Sequence, residues 1–159
     1  MPDPTPSFDV TAAHKWFAVE CNNACWPTLE PTTFVGEDAE KLLNQAHAAV
    51  FHWRQIGKPV NVARGNWLLA RVNTVLGRKE AALHHAQLCL DQCLRDGFKD
   101  WDLAFAYEAA ARANALAGNM DAARAHYADA VTASAACAEK EDREIVDGDL
   151  ATGPWFGMR

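Results

Sequence analysis

Two stretches of this chain, 41 residues apart, carry residues at the same spacing. The first reads Gly77, Lys79, Ala82, Ala86, Cys89, and the second Gly118, Met120, Ala123, Tyr127, Ala130. A weaker third copy, Ala39, Leu43, Ala46, precedes Ala82, Ala86 and Cys89 by 43 residues at each position. A period of about 40 residues built from paired helices constrains the fold strongly, because one such pair cannot bury its own apolar face and must stack on the next. The small residues have a mechanical reason. Ala82, Ala86 and Ala123 let the second helix of a pair approach the first at about 8 Å, the close end of the range for packed helices.

Glycine and proline set the helix ends. The pattern predicts a first helix from Asp9, as N-cap, to Cys25, and a second from Glu37 to Gln55, closed by the run Ile56, Gly57, Lys58, Pro59. Two helices flank Gly77, the later one ending at Arg95, Asp96, Gly97, and two more flank Gly118, starting near Asp100 and Asp121. A short helix over about 140–150 precedes the tail "ATGPWFGMR". The first eight residues and the Pro- and Thr-rich segment Trp26 to Glu37 are expected to be irregular. No segment alternates apolar and polar residues as a half-buried strand would, so the expected class is all-α.

The 159 residues, half of them hydrophobic, suffice for one domain with a sizeable core. A net charge of −6 and an isoelectric point near 5.4 argue against nucleic acid, whose phosphates need a basic face. No apolar run approaches the ~20 residues that span a bilayer, and the N-terminus lacks a basic segment followed by an apolar one. A cytoplasmic chain without nucleic-acid or membrane partners is the expectation. Five cysteines, as the pairs Cys21/Cys25 and Cys89/Cys93 with Cys137 alone, are expected to be thiols, since nothing points to a secreted disulfide framework.

The repeated residues resemble the tetratricopeptide repeat. The better copy, Ala104 to Cys137, has Tyr107, Ala110, Ala111, Asn114, Gly118, Ala123, Tyr127 and Ala130 at the signature positions, with Asn114 departing from the family's aromatic. The copy from Ala63 to Asp96 has Asn66 in place of the tryptophan and Ala86 in place of the second aromatic. "GFKDWDL" separates the two copies. The stretches "AHAAVFHW", "ARGNWLLARV", "ALHHAQLCL" and "DWDLAFAYEAAARA" are also similar to small bacterial tetratricopeptide-like proteins. The resemblance implies a single domain. Three hairpins (9–57, 60–96 and 100–138) form a right-handed stack, followed by a capping helix (140–151) and a tail (152–159).

Carrying over the family's register, the first helix of each hairpin lines a concave groove. The groove positions are Arg64, Trp67 and Arg71 in one hairpin, and Phe105, Glu108 and Arg112 in the next. Arginines flanked by aromatics suit a peptide that carries an acidic side chain or a C-terminal carboxylate, because guanidinium groups fork onto carboxylates. The competing reading pairs Arg71 and Arg112 with Glu108 and leaves Trp67 and Phe105 to pack. Since one glutamate cannot fully satisfy three guanidinium groups, at least one of Arg64, Arg71 and Arg112 is expected to face a solvent-filled concavity with donor capacity unspent.

Other candidates weigh less. His85, Cys89 and Cys93 share a helix face, and with Cys21 and Cys25 would offer thiolates for zinc. Cys89 and Cys93 continue the small-residue core stripe, however, so no metal or cofactor is expected. His47 and Arg54 are expected on the buried side of their helix with hydrogen-bond partners, and His52 and His84 in solvent. Glu30, Glu37 and Asp38 lie near the irregular segment without a second catalytic group at a meaningful spacing. No phosphate loop, nucleophile elbow or HExxH motif is present. The expected function is therefore a non-enzymatic scaffold for a peptide or protein partner. The alternative is a homodimerisation or regulatory module, with Trp155 and Phe156 as a docking hook.

Overall fold

Asp9 starts the first helix in the way its side chain allows, its carboxylate accepting from the Ala12 N–H at 3.0 Å. The computed structural model describes residues 5–29 and 37–159. Its elements are α1 (Val10–Asn23), α2 (Trp26–Leu29), α3 (Glu37–Ile56), α4 (Pro59–Val75), α5 (Lys79–Asp96), α6 (Asp100–Ala117), α7 (Met120–Ala135) and α8 (Lys140–Ala151). Among the described residues every regular element is a helix, and none is long and apolar enough to cross a membrane. Pro59 opens α4 at a position where its missing N–H costs nothing. Gly118 closes α6 with φ +83°, and the N–H groups of Gly118 and Asn119 bond the last carbonyls of the helix, at Ala115 and Asn114.

α1 ends two residues before Cys25, which lies in a turn. The segment expected to be irregular begins instead with α2. Pro27 is tolerated there because it falls in the first helical turn. Residues 30–36 of that segment, including Glu30, lie outside the described residues, and Glu37 opens α3.

Helices pack in chain order: α1 on α3, α3 on α4, α4 on α5, α5 on α6, α6 on α7. In addition α4 lies against α6, and α8 against both α6 and α7. Leu42, Leu43, Ala46 and Val50 of α3 meet Leu68, Leu69 and Val72 of α4, with Cys25 and Leu29 beneath. Where α4, α5 and α6 converge, the seam is alanine throughout: Ala70, Ala82, Ala86, Ala109 and Ala113. Gly65 brings α3 and α4 together, since a Cβ there would stand 2.7 Å from Val50 Cγ2. At the far end Val146, Leu150, Trp155 and Met158 are buried over α6 and α7. The tail therefore folds back on its own chain. Arg159 reaches the Leu150 carbonyl at 2.9 Å and the Tyr127 hydroxyl, and Tyr127 meets Trp155 edge-on with centroids 5.0 Å apart.

Two expectations about α3 are corrected. The buried arc takes in Leu42, Ala46, Ala49 and Val50, which leaves His47 and Arg54 exposed on its rim. His52 is half-buried rather than solvated, with its Nδ1 2.7 Å from that of His14 and its ring stacked on Phe17. His84 is exposed, as expected.

Candidate binding site

The side-by-side packing of α4 and α6 brings the six groove candidates onto one face, where they divide into two unlike parts. The inner part is built on Glu108, which is wholly buried. Glu108 Oε2 accepts from Trp67 Nε1 at 3.1 Å, and Oε1 accepts from Arg112 Nε and from an Arg71 terminal nitrogen at 3.5 Å. Arg112, 2% exposed, spends its remaining donors on the chain's own tail. One terminal nitrogen bonds the carbonyls of Asp149 (2.6 Å) and Thr152 (3.0 Å), the other that of Pro154 (3.3 Å). The guanidinium also lies 4.2 Å from the centre of the Trp155 ring. Arg71 bridges Glu108 and Asp149, 3.5 Å from each. Burial pushes the Asp149 carboxyl above its ordinary range and Glu108 adds to this, while Arg71 and Arg112 oppose it. Two guanidinium groups face two carboxylates, so the buried charges compensate one another.

The outer part is open. Arg64 forks onto Asp102 through Nε (2.7 Å) and one terminal nitrogen (2.9 Å), and stacks over Trp101 at 4.2 Å. Its side chain is 42% exposed, and its other terminal nitrogen has no protein partner among the described residues. The pair forms part of the wall of a cavity of ≈170 Å³, together with Trp26, Trp67, Trp101 and Phe105. The rings support one another: Trp67 lies 5.8 Å from Trp26 and 5.2 Å from Phe105, and Trp101 stands edge-on to Phe105 at 6.0 Å.

Cys89 and Cys93, both buried thiols, complete the lining from α5. They titrate apart. The Cys93 thiol is held down by its hydrogen bond with Cys89 and by Arg64, and Cys89 is pushed up by the same bond and by burial. Among the described residues no group of three or more His, Cys, Asp or Glu is placed to hold a metal ion.

Each of Arg64, Arg71 and Arg112 finds a carboxylate, and Arg64 also faces the open cavity with one terminal nitrogen unspent among the described residues. Sequence register offered only Glu108, whereas Asp102 and Asp149 supply two more. Both come from positions outside the repeat signature. Trp101 and Asp102 sit in the first turn of α6, within the spacer between repeat copies, and Asp149 arrives on α8. Trp26 was hidden by the neighbouring Pro27, which reads as a helix breaker. What fold and site together define is an all-α protein with a closed charge cluster beside an open aromatic cavity. No known protein family, curated protein or solved structure matches this chain.

Proposed function

We propose that this chain is a non-enzymatic, tetratricopeptide-repeat-like scaffold, a right-handed stack of hairpins whose α4–α6 face binds a peptide or protein partner. The contact point is the aromatic cavity beside Arg64, and the Glu108 cluster is its support. The observation that carries this is the cavity itself. Four aromatic rings enclose a space for one apolar or aromatic side chain, and the wall holds a half-exposed guanidinium with donor capacity left over. An acidic side chain or a C-terminal carboxylate next to the anchoring residue suits that donor. Arg71 and Arg112 are occupied by the chain's own Glu108, Asp149 and tail, and are assigned to the scaffold.

A displayed peptide library panned against the wild-type protein tests this, with the selected peptides measured by calorimetry. The expected result is enrichment of peptides with an apolar residue beside a carboxylate. Arg64→Ala weakens them by roughly 1.5–3 kcal/mol, the worth of a hydrogen bond to a charged group. Trp101→Ala, which removes the ring under Arg64, weakens them as well. No enrichment above background, or peptides that bind wild type and both variants alike, would overturn the proposal.

A further inference from the structure

The two ends of the helix array are finished differently. At the C-terminal end α8 and the tail cover α6 and α7 with Val146, Leu150, Trp155 and Met158. At the N-terminal end α1 packs chiefly on α3, and the pair presents aromatic side chains to solvent. Trp16, Phe17 and Phe51 are 59%, 45% and 56% exposed, and Val10 is 41% exposed. Ring contacts make the three aromatic side chains one surface. Trp16 meets Phe17 edge-on at 4.9 Å, Phe17 stacks on His52 at 5.3 Å, and Phe51 meets His52 edge-on at 5.2 Å. The His14–His52 pair joins the two helices across its middle.

We infer that this surface is the interface of a two-fold homodimer, the α1–α3 pair of one copy packing on the α1–α3 pair of another. Three observations favour a second copy as the occupant. Among the described residues α1 packs chiefly on α3, whereas α3 to α8 each have two or more helices against them, and a second α1–α3 pair offers the missing neighbour with the same geometry. A chain of net charge −6 repels its own copies, but the exposed charges beside these rings are of both signs, Lys15 and Glu20 on α1 and Arg54 on α3. Like-charged copies can therefore meet there with the rings at the centre and charges of opposite sign at the hydrated rim. The area also fits. With a large aromatic side chain counted at about 150–250 Å², the exposed fractions of Trp16, Phe17 and Phe51 amount to roughly 240–400 Å². That is about a third to a half of the ~800 Å² each partner gives to a stable interface, and the rest falls to the polar rim. A self-complementary patch is what two-fold symmetry requires. The inference is independent of the cavity and its ligand.

Sedimentation and light scattering between about 1 and 100 µM protein decide it, because dimer formation follows concentration. Wild type is expected at twice 17.4 kDa at the upper end. Trp16→Glu and Phe51→Glu are each expected to weaken the dimer about 30-fold or more, as loss of a central aromatic does. Helicity by circular dichroism should be unchanged, since both side chains are exposed. Should either variant lose helicity, Trp16→Ser and Phe51→Ser replace them. Arg64→Ala should leave the mass unaltered, which separates this test from that of the cavity. Wild type that stays monomeric throughout leaves the patch to a different partner and overturns the inference. So does a dimer that persists in both patch variants.

Discussion

Trp67 and Glu108 are joined by a 3.1 Å hydrogen bond from indole Nε1 to Oε2, and through it the cavity and the buried charge cluster share a residue. The Trp67 ring walls the cavity on one side while its N–H steadies a carboxylate with no access to water. The geometry of the open part therefore depends on the closed part. Arg112 extends the same chain of contacts to the tail carbonyls, so α4, α6, α8 and the tail are held at one point.

Replacing Glu108 with leucine leaves Arg112 buried and without its carboxylate. Removing one partner of a buried ion pair costs about 3–5 kcal/mol, and urea unfolding should show a loss of that size. Glu108→Gln, which keeps a hydrogen-bond acceptor, should lose less. A loss below about 1 kcal/mol for the leucine variant would mean that water reaches the cluster.

Truncation before Pro154 removes Trp155 and Met158, which are 6% and 8% exposed. Deleting a buried tryptophan alone is worth roughly 3–5 kcal/mol, so the melting temperature should fall markedly. Because the tail packs on its own chain, the mass in solution should not change. A truncated protein as stable as the full chain would show that the tail contributes nothing to the fold.

The expected acid sensitivity centres on His85. Burial, then His84, His47 and Arg54, push its pKa from the ordinary 6.5 down to about 4. The unfolded chain therefore takes up the proton first as pH falls. Stability from this group is complete above pH 6.5, declines between 6.5 and 4, and levels off below. His52, also lowered by burial and by His14, acts in the same direction. Urea midpoints across this window should fall for wild type and fall less steeply for His85→Gln. Equal slopes for the two would remove His85 from the account.

Two glycines test the backbone. Gly118 sits at φ +83° with open space where a Cβ would go, so Gly118→Val should cost about 1–3 kcal/mol from backbone strain alone. Asparagine there should cost less. Gly65→Ala places a methyl 2.7 Å from Val50 Cγ2, and overpacking of this kind costs about 1–3 kcal/mol. Combining it with Val50→Ala should recover part of the loss, read as a positive coupling in a double-mutant cycle.

The helix pattern was legible because Gly77, Gly97 and Gly118 mark ends that local chemistry decides, each with positive φ. The six groove candidates were legible as residues of one face, since i, i+3 and i+7 positions stay together on any helix. Their partners were not. Asp102 lies 38 positions from Arg64 and Asp149 lies 78 from Arg71, and neither follows the repeat, so only tertiary packing brings them in. His47 and Arg54 were misplaced for a related reason. Leu43 and Val50 lie at the edge of the buried arc of α3, and periodicity alone does not say on which side of such an edge the core continues.

Three of the six tryptophans, Trp26, Trp67 and Trp101, surround one cavity, while Trp16 stands in water and Trp155 lies against a guanidinium. The molecule thus carries its own optical probes in three distinct surroundings. Filling the cavity would shift the emission of indoles that a change at the N-terminal helices leaves untouched. Single Trp→Phe replacements would assign each signal to its end of the protein.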